Sequence, residues 1–149
     1  MAITCKLESF KNLQNVVLPL MQKHYEETSF FADKYKFEPN INQYITLEEN
    51  DQFKFFTIYN DWELIGYAGY WLYKHQHCDI VFAAQDGIYI KPEYRKLGYG
   101  KQLIEFIDQV LCAFCVEFVT VATPIKKDLS EMYIKQGYEL VDKQLMKRI

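Results

Sequence analysis

The chain has 149 residues, half of them hydrophobic, which is the length and composition of one compact domain with a full apolar core. Its formal net charge of -3 provides no overall positive field, so we expect no nucleic-acid partner. No apolar stretch approaches the roughly 20 residues that span a membrane, and the first residues lack the basic-then-apolar order of a secretory signal. We therefore expect a single domain over residues 1–149 that is soluble and cytoplasmic and has no membrane partner.

The cysteines favour free thiols over disulfides, because the chain shows no secretory context. There are four of them: Cys5, Cys78, Cys112 and Cys115. Cys112 and Cys115 form a C-x-x-C pair within a helical segment, but no second pair or paired histidine completes a four-ligand zinc site. We expect buried structural thiols and no metal.

Two helices and a hairpin are predicted in the first half of the chain. Apolar residues at helical spacing mark the first helix: Leu13, Val16, Val17, Leu20 and Met21. Pro19 should kink or split this helix, and a shorter second helix is predicted over residues 41–49. Residues 53–59 are rich in aromatic and β-branched side chains, and a turn at residues 60–61 separates them from a similar run at 64–73. This pattern predicts a β-hairpin.

The most informative stretch joins a predicted strand to a predicted helix. The strand begins at or shortly after Asp79 and ends at Ile90, and apolar residues recur at helical spacing from Gly100 onward. Between the two, residues 95–101 carry an R-x-x-G-x-G sequence followed by lysine. Two glycines allow the backbone to approach a ligand closely, and the first amides of a helix can donate to an anion. The stretch is therefore typical of a phosphate-binding turn.

One more strand and helix are predicted before the C-terminus. The strand covers residues 117–122, after which Thr123 can cap a helix that stops near Gln136, with Gly137 just past its end. Residues 138–149 are predicted to form a terminal strand, either a hairpin or a bent pair. The predicted order is α, α, β, β, β, α, β, α, β, which indicates a mixed α/β sheet covered by helices.

In this order and in two motifs, the chain resembles the GCN5-related N-acetyltransferase (GNAT) family. Residues 86–100, D-G-I-Y-I-K-P-E-Y-R-K-L-G-Y-G, resemble the family's fourth strand and its acetyl-CoA pyrophosphate loop. Residues 132–138, M-Y-I-K-Q-G-Y, resemble a late-helix pattern in which a Tyr precedes a Gly by four residues. The whole-chain pattern, including residues 24–27, is also similar to small members carried by tailed phages. The resemblance implies a mixed, mostly antiparallel twisted sheet with helices on both faces.

The same resemblance implies acetyl-CoA as co-substrate and assigns positions to it. The amides of residues 97–101, with Gln102, would hold the pyrophosphate at the helix N-terminus, and the edge of the strand at 88–90 would pair with the pantetheine arm. The implied cofactor-binding residues are Ile88, Tyr89, Ile90, Arg95, Lys96, Leu97, Gly98, Tyr99, Gly100, Lys101 and Gln102.

Two side chains are the candidates for moving protons. Acetyl transfer needs a neutral amine, whereas an alkyl amine with a pKa of about 10.4 is mostly protonated at neutral pH. Asp86 takes the place where many family members have Glu and is the candidate base, acting through a bridging water; otherwise it is a strand-end carboxylate in a hydrogen bond or salt bridge. Tyr133 is the candidate acid for the departing CoA thiolate; otherwise it is a core aromatic. Glu26 and Glu27 either attract a cationic acceptor or form a solvated charged pair.

Two functions from different classes remain open at this level. The first is an acetyl-CoA-dependent N-acetyltransferase that acts on a small-molecule or peptide amine by direct transfer in a ternary complex. The second is a non-catalytic family member that binds CoA or builds a structure, for example a phage particle component. A homodimer or assembly in a virion fits either function, and a phage-encoded member would reside in the host cytoplasm or the virion.

Overall fold

Five strands form one sheet in the computed structural model, which describes residues 2–149. In the order in which they lie side by side, the strands are β1 (Ile3–Glu8), β2 (Phe53–Asn60), β3 (Glu63–Lys74), β4 (Val81–Ile90) and β5 (Val116–Thr120). The first four are antiparallel to their neighbours, and β5 runs parallel to β4. The predicted mixed, mostly antiparallel sheet is confirmed.

Helices cover both faces of this sheet. They are α1 (Phe10–Thr28), α2 (Ile41–Glu49), α3 (Tyr99–Ala113) and the short α4 (Ser130–Ile134), with 3₁₀ turns at Pro92–Tyr94 and Ile125–Lys127. Successive side chains of β2 point to opposite faces of the sheet, so β2 contributes to a hydrophobic core on each face. Phe53 and Phe55 pack in the cluster that contains α1 and α2, whereas Phe56 and Ile58 pack in the cluster that contains α3.

A β-bulge in β4 places Asp86 on the face of α1 and α2. Gly69 of β3 is opposite Gly87, but the next residue, Tyr70, is opposite Gln85, so Asp86 is the extra residue. Ala83, before the bulge, and Ile88, after it, both pack toward α3 although one is odd-numbered and the other even-numbered. The bulge therefore changes which face each residue of β4 occupies, as an inserted residue must.

The pairing of β4 with β5 ends halfway along β4. It covers only Val81 to Ala84, the last pair being Ala84 with Thr120. In the described part of the chain, residues 85–90 of β4 therefore have no strand partner on this side. The two parallel strands separate where the bulge begins, and a cavity lies in the opening.

Several predicted elements are confirmed and others are corrected. Helix α2, the β2–β3 hairpin, β4, α3 and β5 lie where they are predicted. Pro19 lies inside α1 and does not split it. The sheet has an additional first strand, β1, which was not predicted although Ile3, Cys5 and Leu7 alternate with polar residues.

The region after β5 differs most from its prediction. The helix predicted from Thr123 is a 3₁₀ turn followed by the five-residue α4, because Thr123 bonds to Asp128 at 2.8 Å instead of capping a continuous helix. Gly137 does follow the helix end and adopts a positive φ of 92°. The predicted terminal strand over residues 138–149 is wrong: this segment forms no strand ladder and exposes Leu140, Val141 and Leu145.

The cysteines are free, as predicted, but they are not buried. Cys78, Cys112 and Cys115 are exposed, and Cys5 is half-buried. Cys112 lies in the last turn of α3, whereas Cys115 follows the helix with a positive φ of 61°. The expectation of buried structural thiols is therefore wrong, because α3 ends between the two cysteines.

Candidate active site

The opening between β4 and β5 contains a cavity of about 680 Å³, called here the first cavity. Its walls come from the unpaired half of β4, the start of α3, the end of α1 and the segment that leads into α4. Both predicted catalytic residues, Asp86 and Tyr133, line it, as do Gly98, Gly100 and Lys101 of the glycine turn. The fold thus brings three separate parts of the chain to one cavity.

Helix α3 presents its N-terminus to the first cavity. Gly98 is its N-cap residue and has a φ of 84°, a left-handed conformation that glycine adopts without strain. In the part of the chain that is described, no side chain caps this helix end, so the amides of Tyr99, Gly100 and Lys101 point out of the helix without a side-chain acceptor. A Cβ added at Gly98 would meet no atom within 4 Å, and one added at Gly100 would lie 3.8 Å from Met132 Sδ. The turn is therefore an open cradle with backbone donors.

Arg95 is held by an ion pair across the cavity wall. Its Nη1 and Nη2 donate to the two carboxylate oxygens of Glu27 at 2.6 and 2.8 Å, and its Nε donates to the carbonyl of Ile90 at 2.8 Å. Lys127 also donates to Glu27. The bond from Arg95 is the main reason that the pKa of Glu27 falls to about 2.

Glu26 and Glu27 therefore do not act as the pair that was considered at the sequence level. Glu27 lines the first cavity with its charge neutralised by two cations. Glu26 is exposed, and its carboxylate accepts a bond from Gln22 in the same helix. The net charge left at the wall is positive, since one carboxylate faces Arg95 and Lys127.

Tyr133 is buried, and its hydroxyl is positioned by Gln85. Gln85 Nε2 donates to the Tyr133 oxygen at 2.8 Å and to the Tyr70 oxygen, also at 2.8 Å. The second contact, between the Tyr133 hydroxyl and Gln85 Oε1, is longer at 3.1 Å. Burial raises the pKa of Tyr133 to about 12, so the phenol is protonated at neutral pH.

Asp86 is held by two donors from the other face of the sheet. Tyr44 Oη donates to Oδ2 at 2.7 Å, and Trp71 Nε1 donates to Oδ1 at 3.1 Å. The rings of Tyr44 and Trp71 stack with their centroids 5.1 Å apart, which fixes both donors. The carboxylate remains open to the cavities, yet the surrounding protein removes part of its hydration and raises its pKa, and this effect exceeds the lowering by the two hydrogen bonds.

His24 lies behind β4 as a neutral residue. Its Nδ1 is 2.7 Å from the hydroxyl of Tyr67, and a Cβ added at Gly87 would lie only 2.8 Å from its Cε1. Burial lowers the pKa of His24 to about 4, so the ring is uncharged at neutral pH. Gly87 is therefore the residue that lets this ring pack directly against the strand.

A second cavity of about 560 Å³ lies on the α1–α2 side of the sheet. Its walls come from the end of α1, the connection to α2, α2 itself and Trp71 of β3. Among the residues described, Asp86 alone lines both cavities. Asp86 therefore borders both cavities, and its carboxylate bonds to two residues of the second.

The sequence matches the family model of the acetyltransferase (GNAT) domain over residues 51–140, more than half of the chain. The chain belongs to the GNAT acetyltransferase family. The matched region contains β2 to β5, the glycine turn and α4, and hence most of the first cavity. This GNAT protein is accordingly an N-acetyltransferase, and the domains of its family use acetyl-CoA as co-substrate.

Solved structures share the fold of this GNAT protein over its whole length. An aminoglycoside acetyltransferase from an uncultured soil metagenomic sample is 17% identical, with a TM-score of 0.74 over 100% of this chain and 98% of that one. A ribosomal-protein-alanine N-acetyltransferase from Brucella melitensis biovar Abortus 2308 is 15% identical, with a TM-score of 0.74 and 99% of each chain covered.

A transcriptional regulator from Bacillus halodurans C-125 is 13% identical, with a TM-score of 0.78 over 99% of this chain and 100% of that one. A search of curated protein sequences gave no match. At these identities the structural likeness concerns the fold alone.

Sequence reasoning missed the residues that position the two candidate catalytic groups of this GNAT protein. Tyr44 and Trp71 hold Asp86, and Gln85 holds Tyr133. The sequence around Trp71 did not indicate that this residue contacts Asp86, because the bulge at Asp86 decides which side chains of β3 and β4 meet. Lys127 was missed because it is 100 residues from Glu27 in the chain.

Within residues 2–149 there is no group of three or more His, Cys, Asp or Glu side chains that could hold a metal ion. In the same residues, no helix is long and apolar enough to cross a membrane.

Proposed function

We propose that this protein transfers the acetyl group of acetyl-CoA directly to a primary amine bound in the second cavity. The observation that carries the proposal is the position of Asp86, the one described residue shared by both cavities. An amine that enters the second cavity and a thioester that occupies the first would meet beside this carboxylate. No covalent enzyme intermediate is needed for such a transfer.

The first cavity fits acetyl-CoA in three respects. The amides of residues 99–101 and the open space at Gly98 and Gly100 suit an anionic pyrophosphate. Lys101 lines the cavity beside them and adds a positive charge. The unpaired half of β4, which includes Ile88 and Tyr89, offers backbone groups to the amides of a pantetheine arm. When bound there, acetyl-CoA supplies an acetyl group activated as a thioester.

Asp86 would take a proton from the bound amine, directly or through one water. Its two oxygens already accept bonds from Tyr44 and Trp71, so the carboxylate is oriented before the amine arrives. Partial removal from water raises its pKa and makes it a stronger base than a solvated aspartate.

Tyr133 would donate its proton to the departing thiolate. The Tyr133 hydroxyl accepts a bond from Gln85 Nε2 at 2.8 Å and donates a longer one to Gln85 Oε1 at 3.1 Å, and this longer bond would break when the proton moves to the thiolate. Gln85 and Asp86 are consecutive, yet Gln85 bonds to Tyr70 of the α3-side core while Asp86 bonds to Tyr44 of α2. Acid and base therefore approach the end of the β4–β5 pairing from opposite faces of the sheet.

The experiment is the release of CoA thiol from acetyl-CoA in the presence of a panel of primary amines, comparing wild type with Asp86→Asn. Asparagine keeps one oxygen and hence one of the two hydrogen bonds, and its amide nitrogen cannot accept the proton, so we expect kcat/KM to fall about 100-fold. Wild-type kcat/KM should rise with pH through the pKa of Asp86, which lies above the ordinary aspartate range, and this rising limb should be absent from the variant.

The same assay separates the proposal from a non-catalytic protein of this family, including a phage particle component. Thermal stabilisation by acetyl-CoA without thiol release on any amine would support a CoA-binding module. Thiol release with equal kcat/KM in wild type and Asp86→Asn would leave the transferase function standing but remove Asp86 as its base.

A further inference from the structure

We propose that the amine acceptor is a small primary monoamine with an aromatic or comparably apolar body, and not a polycation. This inference rests on the proposed function, since it names the acceptor of the same transfer. It follows from the lining of the second cavity, where aromatic rings are many and charged groups are few.

The second cavity is walled mainly by aromatic side chains. They are Tyr25, Phe31, Tyr35, Phe37, Tyr44 and Trp71. Several are in contact with one another: the centroids of Tyr25 and Phe37 are 5.6 Å apart, and those of Phe31 and Tyr35 are 6.0 Å apart. Phe31 remains 40% exposed and Tyr35 53% exposed, so a ligand that covers them would remove apolar surface from water.

The charges of the lining balance one ammonium group. Two carboxylates, Asp86 and Glu38, and one ammonium, Lys36, face the cavity, which gives a net charge of -1. A second ammonium on the acceptor would meet Glu38 together with Lys36, whose charge offsets that of Glu38, and a third would meet aromatic rings. A ring attracts a desolvated cation by about 2 kcal/mol, whereas the loss of that cation's hydration costs several kcal/mol. Desolvation dominates, so extra positive charges on the acceptor weaken binding.

Asp86 fixes the end of the cavity at which the ammonium binds. An ionised carboxylate has about four acceptor positions, and Tyr44 and Trp71 use two of them. The remaining positions can accept from an ammonium that lies where the two cavities meet. The apolar body of the acceptor then extends along the rings, away from the first cavity.

Tryptophan fluorescence can test this acceptor class without any turnover. The chain has two tryptophans, and Trp62 is 97% exposed, so Trp62→Phe leaves Trp71 as the reporter in the cavity wall. Titration of this variant with 2-phenylethylamine, spermidine and sisomicin, each with and without CoA, should give the lowest Kd for 2-phenylethylamine, by about tenfold. Tighter binding of spermidine or sisomicin, or no fluorescence change with 2-phenylethylamine, would overturn the inference.

A charge change at Lys36 should alter the preference of the second cavity for 2-phenylethylamine over spermidine. Lys36→Glu gives the lining a net charge of -3, and we expect the Kd of spermidine relative to that of 2-phenylethylamine to fall by roughly fivefold or more. Lys34→Glu is the matched control, because Lys34 lies over the ring of Phe30 and does not line the cavity. Equal effects of the two changes would mean that general surface charge, and not the cavity, determines the preference.

A ring deletion tests the apolar body. Phe31→Ala should raise the KM for 2-phenylethylamine about three- to tenfold, whereas Phe118→Ala, 56% exposed and outside both cavities, should not change it. No difference between the two variants would count against the inference. If the proposed function is wrong, no amine will cause thiol release. The titration followed by Trp71 fluorescence does not depend on turnover, so it still shows which class of amine the second cavity binds.

Discussion

At the scale of single residues, Tyr133 is a buried phenol whose hydroxyl makes two hydrogen bonds with Gln85. It is 2% exposed, and burial raises its pKa to about 12, so the phenol keeps its proton at neutral pH. A thiolate is ordinarily the weaker base, so the proposed transfer requires that the same apolar surroundings raise the basicity of the thiolate too. We expect Tyr133→Phe to lower kcat at least tenfold with little change in the KM for acetyl-CoA, because packing is kept and only the proton is lost. Steady-state kinetics of thiol release measures both values.

Tyr138→Phe is the control for this change, since the ring of Tyr138 contacts that of Tyr133 edge-on at 5.1 Å. Its kcat should remain at the wild-type value. If Tyr133→Phe also retained full kcat, Tyr133 would be a core residue without a role as acid.

The ion pairs of Glu27 predict a pH-dependent contribution to stability. Its pKa in the folded protein is about 2, below the ordinary 4.5, so its stabilising effect is complete above pH 4.5 and is lost as the pH falls from 4.5 through 2. At pH 7, Glu27→Gln should lower the free energy of unfolding by about 1–2 kcal/mol, a value reduced for the 29% exposure of the side chain. Urea unfolding at pH 7 and at pH 3 measures the difference, which should be smaller at pH 3.

Glu26→Gln is the neighbouring control, because the exposed Glu26 carboxylate accepts a bond from Gln22 in the same helix and the loss of this bond should change stability by less than about 0.5 kcal/mol. If the free energy of unfolding of wild type exceeded that of Glu27→Gln by the same amount at pH 7 and at pH 3, packing, and not charge, would stabilise this wall.

At the scale of elements, the start of α3 is the part on which the proposed anion binding depends. Gly100 lies in its first turn without a positive φ, so a larger residue there causes no backbone strain and improves helix propensity. Its Cβ, however, would enter the first cavity. We expect Gly100→Leu to raise the Kd of acetyl-CoA at least tenfold while the melting temperature stays equal or increases. Calorimetric titration and thermal unfolding give the two values.

The corresponding control is Gln109→Leu, at an exposed position of the same helix, which should bind acetyl-CoA as wild type does. Gly98 is a less suitable site for this test, because its φ of 84° would strain any other residue. Wild-type affinity in Gly100→Leu would place the anion-binding function elsewhere.

The elements also show where sequence reasoning succeeds and where it does not. The strand, glycine turn and helix around Gly98 were predicted closely, because local periodicity and one left-handed glycine determine them. The segment after Thr123 was not, since a bond to Asp128 competes with helix capping there. The face occupied by Asp86 could not be predicted, because one inserted residue in β4 reverses the alternation.

For the whole molecule, the candidate site is made by contacts between distant parts of the chain. Glu27 and Arg95 are 68 residues apart, and Tyr44 and Asp86 are 42 apart. No pattern in a single sequence indicates such pairs, whereas the residues that touch a ligand through the backbone follow from a local motif. The glycine turn at the start of α3 was therefore predictable, and the walls of the second cavity needed the fold.

A crystal structure of the protein with bound CoA tests the central claim most directly. We predict that the pyrophosphate lies at the amides of residues 99–101, that the pantetheine arm follows residues 85–90 of β4, and that the sulfur lies between Asp86 and the Tyr133 hydroxyl. CoA bound outside the first cavity, or a sulfur remote from both side chains, would contradict the account.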